Sequence, residues 1–131
     1  QGAAGGDARC QAAATDAGHK GTYMAWISDG NSSPADRFSR CGPWELIDGT
    51  LVANDWADLT DGTLQNLILL DEDGENPLTG GGVWTATTWT GEPSNEGDTC
   101  DEWTDGGESA GVIGAPEDDD DTTAEEQGSI N

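Results

Sequence analysis

Six tryptophans set the main constraint on how this chain of 131 residues can fold. The rest of the sequence is hydrophilic, with 33% apolar residues and a mean hydropathy of −0.64, and such a composition borders on that of disordered chains. Each indole can bury about 150–250 Å², and the tryptophans lie in separate short apolar segments. We therefore expect one small folded domain with disordered edges.

The charge balance excludes several classes of partner. The chain has 27 acidic residues against four Lys and Arg, which gives a net charge of −23. Nucleic acids and anionic lipid surfaces both require Lys and Arg for binding. No stretch reaches the roughly 18 apolar residues of a membrane span, so we expect neither nucleic-acid binding nor membrane insertion.

Glycine, proline and polar caps divide the chain into short elements. Residues 1–6 predict a flexible lead-in, and Asp7 is the expected N-cap of an alanine-rich helix over 8–17 that stops at Gly18. Ser33-Pro34 and residues 54–59 predict single helical turns, and Asp48-Gly49 predicts a hairpin turn. Strands are expected at 23–27, 44–47, 51–53, 67–70, 83–86, 103–104 and 111–114, and residues 115–131 predict an acidic loop or tail.

The apolar members of these elements form the predicted core. They are Tyr23, Trp26, Ile27, Trp44, Leu46, Leu51, Trp56, Leu59, Leu69, Trp84, Trp103 and Val112. The fold class that follows is α+β, with two short helices, small antiparallel sheets and long loops.

The cysteines favour a disulfide over a metal centre. Cys10, Cys41 and Cys100 lack the paired spacing of zinc ligands, and three cysteines leave one unpaired or paired outside this sequence. His19 is the only histidine, which disfavours a cysteine–histidine catalytic pair. Since no pair of carboxylates stands out among so many, we expect no enzymatic activity.

Two acidic segments are candidate calcium sites, because hard cations prefer several converging oxygen ligands. The first includes Asp71 and Asp73, but Gly74 stands at the fourth position rather than the sixth of an EF-hand loop, and a plain acidic turn is the alternative. The second covers residues 92–101, where the alternative is a surface turn. Its candidate ligands are Glu92, Asn95, Asp98 and Asp101.

Asn31 begins the only N-glycosylation triplet, Asn31-Ser32-Ser33. We therefore predict a glycan at Asn31, although such a triplet also occurs by chance.

Four stretches in this order resemble the C-type-lectin-like fold, and in particular a bacterial branch of uncharacterised secreted domains related in fold to endostatin. Together they span residues 7–114. They are the alanine-rich helix with Cys10, residues 25–29 with 33–37, residues 42–62 with their Gly-Pro-Trp and Asn-Asp-Trp-Ala-Asp motifs, and residues 99–104 with 111–114. Glu92-Pro93-Ser94-Asn95 is similar to the calcium and sugar motif of true C-type lectins, with Ser94 as an interruption.

The resemblance implies a closing strand with two further cysteines, which would pair with Cys10 and Cys100 rather than leave these two to pair with each other. The sequence given contains neither the strand nor those cysteines. Three explanations stay open: a longer chain, loss of the strand, or a strand supplied by another subunit.

The resulting hypothesis is a non-enzymatic extracellular recognition or adhesion module, secreted or at the cell surface, whose ligand is a protein or a glycan. Calcium is the expected cofactor. The alternative is a structural subunit of a filament or surface layer that self-assembles through an open sheet edge.

Overall fold

The computed structural model describes residues 2–76, 83–94, 99–104 and 113–114. These residues form a small α+β domain, which confirms the predicted fold class at that level. The helices are α1 (Gly2–Asp16), α2 (Pro34–Arg37), α3 (Trp56–Leu59) and α4 (Cys100–Trp103). The strands β1 (Trp44–Glu45) and β2 (Leu51–Ala53) form one antiparallel pair, and β3 (Val83–Trp84) and β4 (Ile113–Gly114) form another.

Helix α1 begins earlier than the sequence indicates. The predicted lead-in at residues 1–6 is helical from Gly2 onward, and Asp7 lies inside the helix rather than at its cap. The carboxylate of Asp29, distant in sequence, accepts the N–H of Ala3 at 2.6 Å and takes over the capping role. The predicted stop is confirmed, because Gly18 adopts φ +84°.

An extended segment, residues 21–29, lies along one face of α1. The N–H of Tyr23 donates to Oε1 of Gln11 at 3.0 Å, and the N–H of Ala25 donates to Oδ1 of Asp7 at 2.9 Å. A helix advances about 6 Å in four residues and an extended chain about 6.6 Å in two, so the two spacings match. The predicted strand at 23–27 is therefore wrong, since helix side chains replace a neighbouring strand.

Arg37 fastens this segment to α1. Its Nη1 donates to both carboxylate oxygens of Asp7 at 2.6 and 2.8 Å, and its Nη2 donates to the carbonyls of Ala25 and Ile27 at 2.9 and 2.8 Å. The side chains of Arg37 and Asp7 are 15% and 27% exposed. One guanidinium thus joins α1, α2 and the extended segment.

The local turns are confirmed where the sequence predicts them. Ser33 precedes α2, and the carboxylate of Asp36 accepts both its N–H and its hydroxyl at 3.0 Å. Asp55 caps α3 by accepting the N–H of Asp58 at 3.0 Å. Gly49 takes φ +87° in the turn that connects β1 to β2.

Four aromatic rings form a closed cluster at the centre of the domain. Trp26 contacts Phe38 and Trp56 with centroid separations of 5.5 and 5.8 Å. Trp44 completes the cluster at 5.8 Å from Phe38 and 6.3 Å from Trp56. Arg40 lies over the Trp56 ring at 5.4 Å. Three of these aromatics were predicted core residues, and Phe38 is the addition.

The rest of the predicted core has mixed outcomes. Small residues such as Val52, Ala53 and Ala86 are the most deeply buried, together with Trp56. Trp84 is 38% exposed, so its assignment to the core is wrong, and Val112 lies outside the described residues. The other predicted members are half-buried: Tyr23, Ile27, Leu46, Leu51, Leu59, Leu69 and Trp103.

Two predicted strands are replaced by other structure. Residues 67–70 form no strand, because the N–H of Gln65 and the side-chain amide of Asn66 already bond the β2 carbonyls of Val52 and Leu51. Residues 103–104 instead end the helical turn α4. Within the described ranges, no helix is long and apolar enough to cross a bilayer.

Candidate functional site

Hydrogen bonds with Ser28 fix residues 83–94, which we call the tryptophan hairpin, to the rest of the domain. The N–H of Ser28 donates to the carbonyl of Thr85 at 3.1 Å, and the hydroxyls of Ser28 and Thr87 lie 2.9 Å apart. Ser28 is completely buried, and Thr85 and Thr87 are 8% and 5% exposed. The base of the hairpin is therefore a buried polar contact with little freedom to shift.

The turn of the hairpin is fixed a second time. The N–H of Ala35 donates to the carbonyl of Gly91 at 2.9 Å. A Cβ on Gly91 would lie 3.0 Å from the Trp56 ring, and Gly91 has φ +79°. The turn thus packs directly on the aromatic cluster, at a position where only glycine fits.

The hairpin presents two tryptophans to solvent. Trp84 is 38% exposed and Trp89, at the turn, is 41% exposed. Two backbone bonds close the turn around Trp89: Thr88 N–H donates to the Glu92 carbonyl at 2.8 Å and Gly91 N–H to the Thr88 carbonyl at 3.0 Å. Large aromatic side chains on a well-held turn form a contact surface that loses little entropy on binding.

A cleft lies between the start of α1, the loop at 29–32 and α4. It is an open cleft of about 510 Å³ that includes Asp29, Arg37 and Glu102 in its lining. The Glu102 carboxylate accepts the N–H of Gly30 at 2.7 Å, and the Trp103 indole donates to the carbonyl of Ser28 at 2.8 Å. Both α4 residues have left-handed φ values, +56° and +60°.

Asp29 is the most heavily bonded carboxylate of the cleft. Burial works against its ionisation, but the backbone N–H groups of Ala3, Asn31 and Ser32 and the Ser32 hydroxyl outweigh that effect and hold the pKa of Asp29 below its usual value. Its oxygens are engaged in shaping the loop and capping α1. The cleft carboxylates therefore act mainly as structural acceptors.

The first predicted calcium segment is a closed turn. Oδ1 of Asp71 accepts the N–H groups of Asp73 and Glu75 at 3.0 and 2.9 Å, and the N–H of Asp71 donates to the Glu75 carbonyl at 2.9 Å. Asp73 and Glu75 are exposed. Among the described residues, no three His, Cys, Asp or Glu side chains group closely enough to hold a metal ion.

The second predicted calcium segment is described only in part. Glu92 is exposed in the tryptophan hairpin, with its backbone carbonyl bonded to Thr88. Asn95 and Asp98 lie outside the described residues, as does the side chain of Asp101. Calcium binding at 92–101 accordingly stays a prediction.

Asn31 lies at the rim of the cleft and is exposed. The third member of the triplet, Ser33, is instead completely buried at 0% exposed, and its hydroxyl donates to Asp36 at 3.0 Å. The folded chain thus offers the acceptor amide but conceals the hydroxyl that completes the triplet.

Cys10 and Cys41 are free thiols. Burial, aided by the charges of Asp7 and Glu72, raises the pKa of Cys10, which makes this thiol less reactive than an ordinary one. Cys41 is exposed. The side chain of Cys100 lies outside the described residues.

Sequence reasoning missed the tryptophan hairpin as a surface. It assigned Trp84 to the core and predicted a strand at 83–86. The available signal was the polar setting of Trp89, which is flanked by Thr88, Thr90 and Gly91 with no apolar neighbour. An aromatic residue inside a polar turn is a candidate contact residue rather than a core residue.

Comparison with known proteins assigns no family to the chain. No protein-family model matches it, and no curated protein is significantly similar to it.

Proposed function

We propose that this protein is a non-enzymatic extracellular recognition or adhesion module that contacts a protein or glycan ligand through the tryptophan hairpin. The observation that carries the proposal is the exposure of Trp84 on β3 and of Trp89 at the following turn, in a segment fixed at its buried base. Tryptophan is enriched among the residues that dominate binding energy in interfaces. An exposed indole on a mobile loop would be a weaker argument, because ordering the loop would cost binding energy.

The assignment to the C-type-lectin-like fold belongs to this proposal. It is supported by the resemblance of four sequence stretches, and by an α+β architecture in which short elements are joined by bonded loops. The resemblance is also the basis for proposing a secreted or cell-surface location. A solved structure whose strand order differs from that fold would remove this part of the proposal and leave the binding surface unaffected.

The non-enzymatic assignment is supported by what the described carboxylates do. Asp29 has both oxygens occupied, because they accept the N–H groups of Ala3, Asn31 and Ser32 at 2.6–2.9 Å. Catalytic carboxylates instead need an unoccupied oxygen directed at a substrate.

Ligand binding with matched variants tests the main proposal. Glycan arrays and a panel of extracellular proteins are probed with the native chain, with Trp84→Ala and Trp89→Ala, and with Ile68→Ala as control. Ile68 is 48% exposed but lies outside the hairpin. We expect a saturable ligand whose affinity falls in both tryptophan variants and not in the control. A ligand bound equally well by all four proteins would refute the role of the hairpin.

Calcium and a glycan at Asn31 are additional proposals. Calcium would bind at 71–76 or 92–101, where oxygen ligands lie next to a glycine turn. A glycan at Asn31 would have to be attached before folding, because the Ser33 hydroxyl is buried and bonded in the folded chain. Intact mass of the native protein, compared with the chain refolded before exposure to the glycosylation machinery, tests the second proposal.

The alternative function is a structural subunit that is completed by a neighbour's strand. It is favoured by the small size of the sheets in the described residues, two strands each, since an uncovered strand edge can accept another chain. Size-exclusion chromatography and electron microscopy distinguish the two functions. A monodisperse monomer at high concentration would eliminate the filament.

A further inference from the structure

The net negative charge of the chain lies entirely in residues 41–131. All four basic residues precede Cys41: Arg9, Lys20, Arg37 and Arg40. They are matched there by Asp7, Asp16, Asp29 and Asp36, so residues 1–40 are neutral and residues 41–131 carry the whole net charge of −23.

The tryptophan hairpin lies in the part that contains no Lys or Arg. Glu92 is exposed within it, and Glu96 and Asp98 follow in sequence. Arg40 stacks on Trp56 and donates to the Ala35 carbonyl at 3.0 Å. Trp56 is the ring against which Gly91 packs. An arginine on a tryptophan face is therefore already present beside this surface.

We propose, on the basis of the recognition function above, that the tryptophan hairpin docks an arginine- or lysine-rich segment of a partner protein. Indole faces attract guanidinium and ammonium groups, and the attraction strengthens as water is removed. The acidic residues of this part of the chain, of which Glu92 is exposed in the hairpin itself, supply long-range attraction that increases the rate of encounter. The exposed indoles and the acidic charge thus select the same ligand chemistry.

Charge disfavours the other occupants. The net charge of −23 repels acidic glycans, nucleic acids and anionic lipids. A second copy of the chain brings another net charge of −23 and offers as exposed cations only Arg9, Lys20 and Arg40. A basic partner has no such repulsion to overcome.

The test uses a short arginine-rich peptide and the same peptide with every arginine replaced by citrulline, which keeps the shape and removes the charge. Binding is measured by calorimetry at an ionic strength of about 0.15 M. We expect the arginine peptide to bind, the citrulline peptide not to bind, and added salt to weaken binding. Trp89→Ala should lower affinity about tenfold or more, because a buried aromatic anchor dominates such contacts.

Two variants separate a specific contact from bulk attraction. Trp89→Ala leaves the net charge unchanged, and Ile68→Ala removes an equally exposed apolar side chain elsewhere. Near-ultraviolet circular dichroism checks that the buried aromatic cluster is intact in both. If Trp89→Ala binds the arginine peptide as well as the native chain does, the contact is nonspecific and the inference is wrong.

The remaining outcomes are equally decisive. If the arginine peptide does not bind, while a neutral glycan or protein binds in a Trp89-dependent manner, the basic partner is refuted and the recognition function stands. If sedimentation shows self-association that Trp89→Ala abolishes, the occupant is a second copy, and the inference fails. If no ligand of any class depends on Trp84 or Trp89, the recognition function through this hairpin fails as well.

Discussion

Replacement of Arg37 by methionine removes the guanidinium that joins α1, α2 and the extended segment, while keeping most of the aliphatic bulk. Four hydrogen bonds are lost, two to the carboxylate of Asp7 and two to the carbonyls of Ala25 and Ile27. Asp7 then keeps the bond donated by the Ala25 N–H, at 2.9 Å. The variant therefore leaves the carboxylate of Asp7 without its counterion and the carbonyls of Ala25 and Ile27 without their hydrogen-bond donor.

The expected cost follows from burial. Breaking a buried ion pair by removing one partner costs about 3–5 kcal/mol, and a hydrogen bond to a charged group contributes about 1.5–3 kcal/mol. Asp7 is 27% exposed, so water can partly hydrate its carboxylate, and the lower end of the first range applies. We expect a loss of about 3 kcal/mol, a large share of the roughly 5–15 kcal/mol of a typical domain.

Urea unfolding, followed by tryptophan fluorescence and far-ultraviolet circular dichroism, measures this loss. Arg9→Met is the matched control, because Arg9 is an exposed arginine on α1, the helix that carries Asp7, and its replacement should change stability by about 0.5 kcal/mol or less. A double-mutant cycle with Asp7→Asn should give a coupling energy of about 1–3 kcal/mol. A loss below about 1 kcal/mol in Arg37→Met would contradict the view that this guanidinium holds the three elements together.

Three further predictions concern acid stability, packing and calcium. The pKa of Asp29 is lowered in the folded chain, so this carboxylate stabilises the fold above its unfolded pKa, and the contribution is lost as pH falls through its folded pKa. Asp29→Asn should therefore make the acid unfolding curve less steep, and an unchanged curve would contradict this prediction. Gly91→Ala should cost about 1–3 kcal/mol more than Gly18→Ala in thermal unfolding, because both glycines have positive φ but only Gly91 has a ring at contact distance. Glu92→Ala combined with Asp98→Ala should lower calcium affinity without unfolding the domain, and an unchanged calorimetric titration would exclude the segment at 92–101.

Elements whose determinants are adjacent in sequence were predictable. The caps at Ser33 and Asp55, the turn at Gly49 and the stop at Gly18 each depend on a residue's own backbone preference or on a bond a few positions away. Periodicity and propensity describe such local energies directly. The predicted coil at the start of α1 failed for the complementary reason, since Asp29 is its cap and lies far along the chain.

The sequence did not predict which groups would form hydrogen bonds with the backbone of the segments expected to be strands. Residues 23–27 have the composition of a strand, yet the N–H groups of Tyr23 and Ala25 bond helix side chains. Residues 67–70 are equally apolar, but the preceding polar pair already occupies the β2 carbonyls. Composition favours extension in both cases and carries no information about which groups are available beside the segment.

Exposure was the least predictable property of the candidate site. Trp56 follows Asn54 and Asp55 and Trp84 follows Val83, yet Trp56 is the buried one, at 8% exposed against 38% for Trp84. The difference arises because Trp56 meets two other tryptophans and the Gly91 turn, all of which are tertiary contacts.

The position of α1 against residues 21–29 has a consequence for solubility. Residues 22–28 contain two aromatic side chains and no charge, the type of segment that can stack into cross-β assemblies when its backbone is uncovered. Gln11 and Asp7 occupy the donors that a second chain would use. A protease that cuts in the Gly18–Gly21 connection and releases α1 should therefore produce a chain that aggregates, and thioflavin fluorescence would detect it. In this protein a helix protects a strand-like segment that a sheet would otherwise have to cover.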